Sequence, residues 1–197
     1  NLSYVGNQTI TSDIGYTKSG AYGFWMKEND SSTISINADI TSNAIGFYSE
    51  SSDSNNITMT GDISTGGVSA YGIKLDNSES NTINMTGNIN TSGDVGVGIW
   101  LNNSSHMNVI SMTGDIVTSG TGGWGYAVTS SFTNNTTING DITTTGDSAE
   151  AIYMSGGWST TTTITGNIST TGQQSDGIYL LNSDENTLVI NGNINTS

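Results

Sequence analysis

A chain of 197 residues with three lysines, no arginine and 17 acidic residues carries a formal charge of −14. That balance excludes the cationic track a nucleic acid requires and sets direct contact with anionic membranes aside. There are 26 glycines, no proline and no cysteine, so disulfides contribute nothing to stability, while the apolar residues recur too regularly for a disordered chain.

In chain order the residues fall into copies of one phrase. Two degenerate copies come first, with Ser12 and Ala38 in the position that later copies give to glycine. Six fuller copies follow around Gly61, Gly87, Gly114, Gly140, Gly166 and Gly192, at spacings of 26, 27, 26, 26 and 26 residues. The step from Ala38 to Gly61 is 23 residues, so one loop there is three residues shorter. A second column runs Gly23, Gly46, Gly72, Gly98, Gly125 and Gly177, with Ala151 standing in once. The repeat spans the whole chain as a single domain and describes architecture. Function must be sought where the copies differ.

Each copy alternates apolar and polar residues with a strand period: Ile57, Met59 and Ile63, then Ile83, Met85 and Ile89, then Ile110, Met112 and Ile116. The residue after the first glycine column is always Asp or Asn, and the next is always Ile, from Ile14 to Ile194. The stretches "AYGIKL" and "GVGIWL" predict a further strand with Ile73, Leu75, Ile99 and Leu101 inward, and Ile152, Met154, Ile178 and Leu180 repeat it. Polar runs such as "DNSES", "NNSSH" and "NSDEN" are turns. No helical period appears. The predicted fold is all-β: a parallel β-helix of about 26 residues per coil and roughly seven to eight coils, stacked about 4.8 Å apart. Coil length favours right-handed winding.

The repeating pattern of "TGDI" or "TGNI", a following glycine and an "NTI" resembles the passenger segments of bacterial autotransporter adhesins, over essentially all 197 residues. The resemblance implies a right-handed parallel β-helix displayed at the cell surface or secreted. That family's signal peptide and C-terminal membrane barrel are missing, as expected of a segment cut from a longer rod.

Two columns could carry chemistry. The first holds Asp13, Asp39, Asp62, Asn88, Asp115, Asp141, Asn167 and Asn193. Aspartates on neighbouring coils repel unless a cation or hydrogen bonds intervene, and calcium is the cation that carboxylate oxygens would take. Asp and Asn also suit a turn by bonding local backbone, and the free exchange with Asn favours that plainer role. The second column, beside the second glycine, reads Trp25, Tyr48, Lys74, Trp100, Ala127, Tyr153 and Tyr179. Its parity is opposite to the isoleucines, so the rings face solvent. Such a row could receive a sugar or a protein, or could simply cover itself, and it is broken at Lys74 and Ala127.

Three residues depart from the repeat. Trp124 is expected to fill a corner, Trp158 to stand in the turn "SGGWST" as a possible contact, and His106 to be a solvated loop residue. With one histidine and no cysteine, a zinc site is out of reach. The outward threonines Thr58, Thr60, Thr86, Thr113, Thr163 and Thr165 resemble an ice-ordering array, but Asn84, Ser111 and Asn139 interrupt it. Polysaccharide hydrolysis needs a distinctive carboxylate pair, whereas "GD" recurs here as scaffold. Lyase chemistry would want cationic groups that the chain lacks.

The expectation is a non-catalytic surface or secreted rod that attaches to a glycan or protein by its sides. The alternative is a structural stalk or filament subunit stacking end to end on further copies, since neither end carries a polar cap. No cofactor is expected beyond possible calcium.

Overall fold

The computed structural model describes residues 2–4, 6–16 and 18–197. Every helix or strand among them is a strand, and each coil contributes three. In one coil, Tyr71–Asp76 belongs to the first sheet, Thr82–Thr86 to the second and Ile89–Thr91 to the third. Each sheet has eight strands, every one paired in parallel with its counterpart one coil away. The chain is a parallel β-solenoid of about seven coils, and at about 4.8 Å per step its strands span about 34 Å.

The repeat sets the register directly. Ile14, Ile40, Ile63, Ile89, Ile116, Ile142, Ile168 and Ile194 stack as Cα partners along the third sheet. From Ile14 to Ile168 they are 4% exposed or less, and stacking alone buries them, because a single coil has no second layer to close against. The second glycine column exists because of them. A Cβ at Gly98 would run into Ile116 Cγ2 and the carbonyl oxygen of Gly125. The three residues missing from the short step are lost between Ile40–Ser42 and Ile45–Glu50. The extra residue of the 27-residue step lies in the turn at Asn103 and Ser104, both in the left-handed region with φ of 46° and 61°.

The core is an Ile/Leu/Met ladder with two local solutions. Phe24 and Phe47 stack in the interior, 5.4 Å apart and 2° from parallel. Tyr126 is fully buried in a column that elsewhere holds Phe47, Ile73, Ile99 and Ile152. It fits because the second sheet places Thr136 where Ile110 stands one coil earlier, and the phenol donates to Thr136 Oγ1 at 2.9 Å. A smaller residue makes room for the ring and partners its hydroxyl.

The turns entering the second sheet carry a buried amide ladder that the hydrophobic pattern leaves invisible. Asn55, Asn81, Asn108 and Asn134 are each 2% exposed or less. Asn108 Oδ1 accepts the Asn81 N–H at 2.9 Å, and its Nδ2 donates to the Ser78 carbonyl at 2.9 Å. A parallel serine ladder runs beside it, with the Ser78 N–H donating to Ser105 Oγ. Where Ser32 replaces the asparagine, Asn29 replaces the serine, and Ser32 Oγ donates to Asn29 Oδ1 at 3.2 Å. These bonds satisfy turn backbone that stacking has removed from water.

Candidate functional site

The aromatic column of the first sheet is in register. Trp25, Tyr48, Lys74, Trp100, Ala127, Tyr153 and Tyr179 are successive Cα partners. The two breaks read in the sequence are closed in space. At Ala127 the gap is filled from the same strand by Trp124, whose ring meets Trp100 edge-on at 6.4 Å and lies flat on Tyr153 at 4.0 Å. Trp124 therefore lies on the outer face, within the aromatic row, and does not fill a corner. At Lys74 the ammonium bridges the row. Its Nζ is 5.3 Å from the Tyr48 ring centre, 5.7 Å from Tyr71 and 4.9 Å from Trp100, and it pairs with Asp76 Oδ2 at 2.8 Å. Cation–π attraction and a carboxylate hold it there.

The outcome is a continuous seam along one side of the rod. Tyr22 adds an edge contact to both Trp25 and Tyr48, and Tyr71 to Trp100. Trp25 and Tyr48 stack within 7° of parallel, as do Tyr153 and Tyr179 within 2°. Stacked rings cover one another's faces and turn their edges outward, and Tyr48 is left only 8% exposed. Polar groups line the seam. Trp25 Nε1 donates to Glu50 Oε2 at 3.1 Å, and Trp100 Nε1 donates to Thr129 Oγ1, which in turn donates to Asn102 Oδ1. Burial, then the charges of Asp76 and Glu50, pushes the Tyr48 phenol far above its ordinary range. Burial also raises the Glu150 carboxyl, against a hydrogen bond from Trp124 that works the other way.

The aspartate column is a hydrogen-bonding ladder. Asp39 Oδ1 accepts the Asp62 N–H at 2.8 Å, Asp62 Oδ1 that of Asn88 at 2.7 Å, and Asp115 Oδ1 that of Asp141 at 2.8 Å. Asp13 does the same for Asp39, and Asn88 for Asp115. An amide oxygen serves this role as well as a carboxylate, which explains why Asn substitutes freely. Among the described residues no group of three or more His, Cys, Asp or Glu side chains is gathered closely enough to hold a metal.

A second cluster lies at the turn between the first and second sheets. His106, expected in solvent, is 9% exposed. Its ring stacks on Phe132, its Nδ1 accepts the Phe132 N–H at 3.1 Å, and burial holds its pKa below the ordinary imidazole value despite the nearby Glu79. Phe132 in turn meets Trp158, with centroids 5.3 Å apart. Trp158 is 56% exposed. These three residues are spaced 26 apart, so they occupy one column of the repeat. That spacing was the available signal for Phe132, which nothing else in its neighbourhood singles out.

Comparison of the chain with family models, with curated proteins and with solved structures finds no match in any of the three.

Proposed function

We propose that this chain is a length of a non-catalytic, adhesin-type rod, displayed on a bacterial surface or secreted, which attaches to a glycan or a protein by its lateral faces. The observation that carries this reading is where the coils differ. Their inner rungs are nearly interchangeable, while the aromatic seam and the Trp158 turn are written on the outside. Similar inner rungs set length and stiffness and leave outward positions free to specify a partner. The likeness of the repeat to autotransporter passenger segments supports the same role. The test is binding to glycan and protein arrays, comparing wild type with Trp158→Ala and with a Trp100→Ala, Tyr153→Ala, Tyr179→Ala triple variant. Signal that survives both sets of substitutions, in folded protein, counts against attachment through these faces.

A second reading, a stalk or filament subunit, draws on the seam itself. Rings that cover one another's faces stiffen a rod and offer little flat surface to a sugar. Negative-stain electron microscopy over a concentration series, with calcium or a chelator, separates the two. Long filaments support the structural role, and calcium-dependent rods would give the aspartate column its cation.

A further inference from the structure

One edge of the rod changes chemistry part-way along. In the turn between the first and second sheets a single column runs Asp30, Asp53, Glu79, His106, Phe132, Trp158 and Asp184. The Asp53 N–H donates to Asp30 Oδ1 at 2.8 Å and the Glu79 N–H to Asp53 Oδ1 at 2.7 Å, so the early coils stack carboxylates. Three consecutive coils then replace the carboxylates with rings, and the acids return beyond them. Trp158 is the outermost ring. Its inner neighbour is Phe132, and in the same column of the next coil stands Asp184, with Glu185 beside it, both exposed. Met107, next to His106 in the chain and 50% exposed, adds apolar surface at the end of the stack away from Trp158.

This apolar island between acidic stretches has a counterpart inside the same molecule. Lys74 is held by the rings of Tyr48 and Trp100 and by the Asp76 carboxylate. At the Trp158 edge an indole and carboxylates on the adjoining coil stand outward. All three lysines, Lys18, Lys27 and Lys74, belong to earlier coils. Deepening the reading of the rod as an attachment protein, we propose that this edge docks a cationic segment of a partner polypeptide. An arginine or lysine side chain stacks on the open face of Trp158 and pairs with Asp184 or Glu185, and an apolar residue further along the segment meets Met107, two coils back. Charge complementarity selects this partner over a neutral glycan, for which flanking acids on both sides of the rings have no purpose.

The test titrates a tryptophan-free peptide of alternating arginine and leucine into the full chain, at low and physiological salt, followed by calorimetry and tryptophan fluorescence. Chitohexaose serves as the neutral glycan probe. Wild type is expected to bind the peptide, more weakly as salt shortens the reach of charge to about 8 Å. Trp158→Ala and Asp184→Asn should each weaken it about tenfold, with Trp158→Phe retaining most of the affinity, while Asp94→Asn on a turn between the third and first sheets changes it by less than about twofold. Equal losses at Asp94 and Asp184, or none at Trp158, overturn the proposal, because attraction would then follow net charge alone. Absence of peptide binding at low salt overturns it as well. Chitohexaose binding that depends on Trp158 and ignores Asp184 overturns the choice of partner while leaving the attachment reading intact.

Discussion

Trp124 lies flat against Tyr153 on the next coil, with ring centroids 4.0 Å apart and planes 6° from parallel. The contact restores the aromatic row at the coil where Ala127 interrupts it, and joins the Trp100 end of the seam to the Tyr153–Tyr179 end. An aromatic pair of this geometry contributes about 1 kcal/mol beyond its area burial. A double-mutant cycle of Trp124→Ala and Tyr153→Ala, read by denaturant unfolding, should therefore show coupling of about that size. Strictly additive losses would mean the stack adds nothing to rod stability.

The asparagine ladder makes a sharper claim. Removing the Asn108 amide leaves the buried Asn81 N–H and Ser78 carbonyl without this partner. Asn108→Ala should cost about 3 kcal/mol, since each stranded group carries its own desolvation penalty. Asn139→Ala, which deletes an exposed amide at the end of the strand Asn135–Asn139, should change stability by less than about 0.5 kcal/mol. Similar midpoints for the two variants would remove the ladder from the list of stabilising features.

Val95 holds a left-handed conformation, φ 57°, that other coils give to Ser69, Gly122, Ser148 and Gln174. A β-branched residue is poorly suited to it, and the side chain is 48% exposed, so little packing offsets the strain. Val95→Asn should raise stability by about 1 kcal/mol. A fall in melting temperature would show that the valine is held by contacts that outweigh its backbone.

Glu150 links the seam to pH. Its folded pKa is raised by burial above the ordinary glutamate value, so the folded state binds its proton more tightly than the unfolded chain does. The favourable contribution is present below the ordinary value and is lost as pH rises through the raised one. Glu150→Gln should melt higher than wild type at pH 7, with the gap closing as both are taken below about pH 4. His106 has the opposite sign. Its depressed pKa means stability is present above the ordinary imidazole value and falls as acid protonates the ring, which also removes the Nδ1 acceptor for the Phe132 N–H. Tryptophan fluorescence of the Trp158 edge should shift with that acid transition in wild type and stay level in His106→Phe.

Much of the fold was legible because a solenoid repeats locally. The isoleucine column, the second glycine column and the 23-residue step each reappear in the strand register at the positions counted along the chain. The seam was half legible. Counting from the glycine found Trp25, Tyr48, Trp100, Tyr153 and Tyr179, but a one-column count could not see Trp124 entering from a neighbouring column of the same strand. The asparagine ladder was present as a recurring Asn just ahead of the second-sheet strands, as in the "NTI" at Asn81, and was read only as part of the repeat pattern, since polarity alone does not say whether an amide faces water or the next coil.

The sequence by itself determined the period, the alternation and so the stacked-coil architecture, because in this fold each residue's neighbours are its own counterparts one repeat away. Only the tertiary structure decided which outward residues touch. Trp124 reaches Tyr153, Lys74 settles among three rings, and His106 is drawn beneath Phe132. Side chains several ångströms long cross between columns, and no one-dimensional count records where their ends meet.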